Sequence, residues 1–337
     1  MDNLNRIIIG IENLNNSCYL NSVLQLLFNV EPLNNFLFNY NIIEPTKYEE
    51  LLLFAYKNLL ENIYSIGENT EEYIDNDNIL ESTQFKNILE KLFPYPLLNG
   101  QHDVHEILIS IINIFHEGLK KNDIDLITDE KFNDKINKIA YLKWSEYHKN
   151  EKYSIISKLF KGQIRTKITC NNCFTENNIF ESFMDLSLDI TNNNLECCIN
   201  EYCKPEKLEV YRCEKCNKQT IAEKETILWR LPKYLIIHIK RFEQNIDNII
   251  KDNTLINYPI NSINLENKCN YPNNTLNYHL NSIITHHGNL TNLGHYTSKS
   301  YINKKVFEID DEDISCIDDN GCGNPYILLY ETDNIVV

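Results

Sequence analysis

The sequence predicts an α+β fold, with helices in the first part of the chain and strands in the second. Three observations carry this reading. Apolar residues recur at helical spacing up to Leu119, strict alternation takes over from Gln163, and strands do not alternate with helices as a parallel-sheet fold requires. At 337 residues the chain has room for two domains, or for one elaborate domain with subdomains.

The elements follow in order. From Tyr19, apolar residues at Tyr19, Leu20, Val23, Leu24 and Leu27 mark one face of a buried helix, with Asn16 or Ser17 as N-cap and Cys18 at the helix start. Leu52, Tyr56, Leu59, Leu60 and Ile63 repeat the period. Ser82-Thr83 caps a shorter helix through Phe85, Ile88, Leu89 and Leu92 that Pro94 ends. Asn99-Gly100 makes a turn. After it Val104, Leu108, Ile111, Ile112, Phe115 and Leu119 mark a long amphipathic helix with Gln101 to Asp103 at its first turn. Strands are expected over Gln163 to Cys170, Glu181 to Ile190 and Leu235 to Phe242, where the period becomes two. The Asn-rich patches at 192–194 and 273–274 are loop insertions, because the apolar pattern resumes on both sides.

Composition narrows the function. There are 48 Asp+Glu against 32 Lys+Arg, a net charge of −16, which disfavours a nucleic-acid binder and suits a partner with basic patches. No apolar run reaches the roughly 18–20 residues of a membrane span. Residues 1–10 are too short and wrongly flanked for a secretory signal, so an intracellular site is expected, in cytoplasm or nucleus. In that setting eleven cysteines read as metal ligands, nucleophile and core residues rather than a disulfide framework.

Two Cys-x-x-Cys pairs, Cys170/Cys173 and Cys213/Cys216, each follow a strand-like segment. Four thiolates in this pairing suit one tetrahedral zinc with no open position, hence structural; redox-active or merely buried thiols are the alternative. Cys197, Cys198 and Cys203 form no such pair and read as core or incidental. Cys18 opens an apolar helix after a polar segment, where unpaired N–H groups and the helix dipole favour a thiolate. A lone cysteine there is more often a buried core residue, and a nucleophile needs a histidine base and an orienting group to accompany it. His295, between Gly294 and Tyr296, suits a base at a strand entrance, whereas His238 alternates with apolar neighbours as a core residue would. The acids from Glu308 to Asp313 offer an orienting carboxylate or a solvated loop.

Together these residues add up to a resemblance. The segment Gly10 to Ser22 around Cys18, with Gln25, resembles the cysteine box of the ubiquitin-specific proteases, papain-like thiol peptidases that cleave after the C-terminal glycine of ubiquitin. Gly294-His295-Tyr296 and His286-His287-Gly288 resemble that family's histidine box, and Gln101 to Glu106 its Gln-Asp box. Trp144, Ser154, Leu159-Phe160, Gly162, both Cys pairs, Leu231-Pro232, Lys240-Arg241-Phe242 and Tyr326 to Tyr330 recur in the family's order.

The resemblance implies a single catalytic domain over 8–332: a mainly helical thumb (8–155), mainly zinc-bearing β fingers with part of the palm (156–245), and a mainly β palm (246–332). It implies Cys18 as nucleophile, His295 as base, Asp310 as orienting carboxylate with Asp311 as runner-up, and Asn13 as oxyanion donor. Gln101, Asp103 and Tyr296 are the expected contacts to the ubiquitin tail, although Asp103 also suits a helix-start acid complementing the dipole. The implied activity is hydrolysis of (iso)peptide bonds after ubiquitin, with one structural zinc per chain. Ubiquitin and ubiquitinated proteins are the expected partners, and targeting falls to surface loops or a further partner. The alternatives are a silent ubiquitin-binding protein and the same hydrolysis on another ubiquitin-like modifier. Asn15 stands where the family has glycine, and asparagine tolerates left-handed backbone better than most residues.

Overall fold

A computed structural model describes residues 8–42, 44–67, 74–93, 102–120, 134–244, 249–265, 277–290 and 293–333. Strand β1 (Ile8–Ile11) leads into α1 (Cys18–Phe28), α2 (Glu31–Asn39) and α3 (Tyr48–Gly67), followed by β2 (Ile74–Leu80), α4 (Thr83–Leu92), α5 (Val104–Leu119), α6 (Lys135–Glu151) and α7 (Ile155–Phe160). Next come β3 (Gly162–Cys170), β4 (Glu176–Phe183), β5 (Asp185–Asp189), α8 (Leu195–Tyr202), β6 (Glu206–Cys213), β7 (Lys218–Arg230) and β8 (Tyr234–Lys240). The last third holds β9 (Phe242–Gln244), β10 (Ile249–Lys251), β11 (Ile256–Asn257), β12 (Ile263–Asn264), β13 (Asn277–Leu290), β14 (Leu293–Ile302), β15 (Lys305–Asp310), β16 (Asp313–Ile317), β17 (Cys322–Gly323) and β18 (Pro325–Glu331).

The larger sheet runs β16-β15-β14-β13-β18-β8-β5, with β12 paired to β13. Its two faces bury different cores. Tyr234, Ile236, Ile284, Ile327 and Leu329 face the helices α1, α3 and α5, whereas Leu235, Ile237, Ile283, Leu328 and Tyr330 face α8 and the segment around Ile256 to Leu265. A strand covered on both faces needs no polar alternation, which is why 234–239 is apolar nearly throughout. The smaller sheet, β4-β3-β7-β6, is antiparallel throughout. Phe180, Ile227 and Trp229 on one of its faces pack against Ala140 of α6.

Helix α1 is the axis of the arrangement, with every residue from Cys18 to Leu27 buried. Such a helix must satisfy its polar side chains internally. Gln25 Nε2 donates to the Ile9 carbonyl (2.6 Å), and Asn29 Nδ2 donates to Ser282 Oγ (3.1 Å) and Ser300 Oγ (2.6 Å). These bonds tie α1 to β1, β13 and β14, and so fix its first residue against the histidine-bearing strand.

Several elements differ from the expectation. The single strand expected over Glu181 to Ile190 breaks at Met184, where the chain leaves the smaller sheet as β4 and joins the larger as β5, parallel to β8. Phe183 and Met184, adjacent and both buried, shift the phase of the alternation there, a two-residue signal too short to reveal the change of sheet. The helical first part also contains β1 and β2, a parallel pair. Helix α8 interrupts the strands; Asn194, from one of the Asn-rich patches, caps it by accepting from Cys197 N. Residues 273–274 lie outside the described residues.

Candidate active site

Cys18 is the first residue of α1 and is 1% exposed. The turn before it uses two residues of left-handed backbone, Asn15 (φ 55°) and Asn16 (φ 62°), which fits asparagine at a glycine-like position. Ser17 occupies the N-cap position without a side-chain cap to the helix. Its Oγ instead accepts from Leu14 N (2.8 Å), and its own N–H donates to Asn13 Oδ1 (3.2 Å). These bonds fold 13–17 into a tight arc beside the thiol.

His295 lies on β14 opposite His287 of β13, and its Nε2 makes a short hydrogen bond with Oδ1 of Asp310 at the end of β15. With Nε2 so engaged, Nδ1 is the nitrogen left to exchange a proton with Cys18. The His295 pKa is raised to about 9, first by its hydrogen bond with Cys18, then, against the cost of burial, by Asp310. An imidazole held protonated beside a thiol is the electrostatic condition for a thiolate nucleophile.

Asp311 also lies within 4.8 Å of His295 and Asp310, but its hydrogen bonds go elsewhere. At φ 51° its carboxylate turns back toward α1, accepting from Asn13 Nδ2 (2.5 Å) and Asn21 Nδ2 (2.8 Å). Burial raises its pKa against these donors. The Asn13 amide is therefore fixed at both ends: its oxygen on Ser17 N, and one amide hydrogen on Asp311. The second hydrogen remains for another acceptor.

Asp103 is the N-cap of α5, its Oδ1 accepting from His105 N (2.7 Å) and Glu106 N (3.3 Å) while Oδ2 accepts from the Tyr326 hydroxyl. The helix-start role is thus present, and a substrate cation would meet a carboxylate already oriented. Tyr296 is 1% exposed, its ring 4.8 Å from His286 and 6.3 Å from Tyr326, so it forms the wall behind the cleft. Gln101 lies outside the described residues.

The sequence reading missed one cluster beside Asp103. The rings of His105 and His238 stack at 4.0 Å, His105 Nε2 lies 3.2 Å from Asp185 Oδ2, and Ser187 Oγ bridges Asp185 (2.9 Å) to His238 Nδ1 (3.0 Å). His238 is only half the satisfied core residue expected, since its Nε2 is buried without a partner among the described residues, and burial holds its pKa down at about 4. Imidazole lone pairs lie in the ring plane, so two nearly parallel stacked rings do not converge on one ion. The group is a hydrogen-bonded seam between α5 and the large sheet. Its residues are far apart in sequence and carry no shared motif.

At the far end of the smaller sheet, Cys170, Cys173, Cys213 and Cys216 bring their sulfurs together and are positioned to bind a metal. Cys170 and Cys216 Sγ are 3.8 Å apart, and Cys173 and Cys213 Sγ 3.7 Å. Tetrahedral bonds of about 2.3 Å demand sulfur spacings of about 3.8 Å. Two of the sulfur spacings match that geometry, and all four sulfurs lie within 4.8 Å of one another. Between this group and the cleft, the sheet face opposite α6 borders a recess of about 660 Å³ lined by Ile164, Thr166, Ile168 and Ile179 together with the charged Glu181 and Lys224.

Comparison with known proteins agrees with this geometry. Residues 9–330 match the family model described as ubiquitin carboxyl-terminal hydrolase. Similar curated proteins include ubiquitin carboxyl-terminal hydrolase 2 of Bos taurus, 24% identical over 96% of this chain and 54% of its own length. Another is the probable ubiquitin carboxyl-terminal hydrolase 16 of Schizosaccharomyces pombe, 27% identical over 96% of this chain and 66% of its own. The chain thus spans about half to two thirds of the length of these relatives. Among solved structures, the SAGA Ubp8/Sgf11/Sus1/Sgf73 DUB module bound to ubiquitin aldehyde aligns with a TM-score of 0.75 at 22% identity, covering 98% of this chain and 70% of that one. This likeness establishes the papain-like α+β fold.

Proposed function

The chain belongs to the ubiquitin carboxyl-terminal hydrolase family, and from that premise we propose that it is a cysteine-type deubiquitinase acting on ubiquitin and ubiquitinated proteins. The observation that carries the proposal is the chain of contacts from Cys18 through His295 to Asp310, with His295 raised to about 9. In this reading Cys18 attacks the carbonyl of the terminal glycine while His295 holds the thiol proton and Asp310 fixes the ring. The free amide hydrogen of Asn13 donates to the tetrahedral oxyanion, a contribution typically worth about 3–4 kcal/mol. His295 then protonates the departing lysine amine, and water, deprotonated by the same imidazole, hydrolyses the thioester.

The domain spans 8–332, with a helical thumb (8–155), fingers and part of the palm (156–245), and the remaining palm (246–332). Asp103 and Gln101 read the basic tail, Tyr296 walls the channel from behind, and the mixed polar and apolar recess on the smaller sheet holds the globular body. The net charge of −16 steers a basic substrate toward the cleft. An intracellular location belongs to the same proposal, supported by described cysteines that are all free thiols.

The test is incubation with ubiquitin carrying a C-terminal thiol-reactive electrophile. A covalent mass shift in the wild type, absent in Cys18→Ala, is the expected result; no shift in the folded wild-type chain would refute the proposal.

Zinc is proposed as the metal of the four-cysteine group, where it supplies a structural cross-link between the β3–β4 and β6–β7 turns. About one equivalent per chain is expected by elemental analysis. Cys213→Ser is expected to lose both the metal and the protease resistance of the smaller sheet, because binding of such a metal is itself folding free energy. A metal-free chain with that sheet fully protected would contradict this.

A further inference from the structure

Lys251, on β10, is 9% exposed, and its Nζ donates to the carbonyls of His286 (2.7 Å) and Gly288 (2.8 Å). An ammonium in such a place has lost much of its hydration, a cost that only good acceptors offset. Burial, with Arg241 nearby, accordingly holds its pKa below the usual lysine range.

The sheet explains why these carbonyls need a donor. Pairing of β13 with β18 ends at Thr285 opposite Pro325, a residue with no N–H, while β13 continues alongside β14 through a bulge between His287 and Leu290. Carbonyls two residues apart leave a strand on the same edge, so those of His286 and Gly288 both face the side where the partner strand has stopped. Lys251 supplies the donors that β18 does not.

What lies across this edge is the catalytic strand. His286 pairs with Tyr296, and His287 with His295. The His286 ring, 2% exposed, fills the space where a side chain at Gly294 would stand, 2.2 Å from an ideal Cβ there. Phe242, opposite Lys251 in the β9–β10 hairpin, packs its ring 5.3 Å from the same imidazole. The root of that hairpin therefore grips His286 twice, by its carbonyl through Lys251 and by its ring through Phe242.

We propose that Lys251 is a positioning residue for the reaction: a buried ammonium that closes the open edge of β13, seats His286 against Gly294, and so sets the distance from His295 to Cys18. The inference rests on the deubiquitinase reading for its substrate. Its mechanical content is readable without ubiquitin, from the rate at which iodoacetamide alkylates Cys18 as a function of pH.

Lys251→Met keeps the stem and removes the donors. It is expected to lower kcat on a ubiquitin C-terminal fluorogenic ester at least about tenfold, since small misplacements of catalytic groups carry such costs. KM should stay within about twofold, with the alkylation rate at pH 7 falling in parallel and the folded fraction, read by circular dichroism at the assay temperature, unchanged. Where Lys251→Met unfolds, Lys251→Ala with added n-propylammonium decides: saturable recovery of kcat is expected, and none with tetramethylammonium, which has charge but no N–H. Wild-type kcat and alkylation in Lys251→Met would overturn the proposal, as would a change in KM alone, no recovery with n-propylammonium, or equal rescue by both ions. A wild-type chain that alkylates normally but ignores the ubiquitin electrophile would instead remove the deubiquitinase reading and leave the role of Lys251 to the alkylation data.

Discussion

Asp310→Ala is expected to lower kcat by about 10²–10³-fold with little change in KM, somewhat less than the roughly 10⁴-fold typical of a buried triad aspartate. The smaller figure follows from exposure, because the Asp310 side chain is 53% accessible and water partly replaces it. The pH profile adds a second readout. His295 is raised to about 9 by Cys18 first and Asp310 after it, so the wild-type rate should hold through neutral pH and fall as the imidazolium is lost above about 9. Removing Asp310 takes away one cause of the rise and moves that limb to lower pH. The linked stability has the same sign: a raised histidine pKa contributes stability fully present below about 6.5 and lost as pH rises through about 9.

Asp311→Ala should behave differently. It releases the Asn13 amide hydrogen, while Asn21 Nδ2 keeps the carbonyls of Ile11 and Glu12, so turnover falls through the oxyanion donor and the alkaline limb moves less than in Asp310→Ala. A downward shift of that limb in Asp311→Ala, with none in Asp310→Ala, would transfer the orienting role to Asp311. A full pH–rate profile of both variants decides it.

The second large effect is expected from Gly294→Ala. A Cβ there would stand 2.2 Å from His286 Nε2 and 2.4 Å from the His287 carbonyl oxygen. The imidazole is buried and the carbonyl is backbone, so neither can give way cheaply. The β13–β14 pair must spread, and His295, the next residue, moves with it. A displacement of about 1 Å is worth on the order of 10²-fold in rate, and forcing a methyl into a filled site costs about 1–3 kcal/mol of stability. Thermal unfolding and single-turnover kinetics of the variant together measure both. Turnover within about twofold of wild type would show that the hairpin absorbs the methyl group and that the close approach is without consequence.

Much of this was written in the sequence, because much of it is local. The helical stripe from Tyr19 to Leu27 places Cys18 at a helix start, since that depends only on a 3.6-residue period and a polar segment before it. The two Cys-x-x-Cys pairs specify a four-sulfur site, since one tight turn delivers two sulfurs at a time. The ordered boxes around Cys18, Asp103 and His295 led to the family that comparison then showed.

The tertiary structure decided what depends on packing across the chain. Asp310 and Asp311 are neighbours of the same chemistry; only the left-handed backbone at Asp311 sends one carboxylate to His295 and the other to Asn13. Met184, where one strand becomes two in different sheets, leaves only the apolar doublet Phe183-Met184 in the sequence, and such a doublet also fits a bulge within one strand. His105, Asp185 and His238 meet only because α5 lies over β5 and β8. Lys251 has its role only because the early end of β18 leaves two carbonyls for it to satisfy. The sequence by itself determined which chemical groups the chain carries and the local elements that hold them. The fold decided which of those groups face one another, because that depends on where strands stop and how layers stack, and neither is encoded within a few residues.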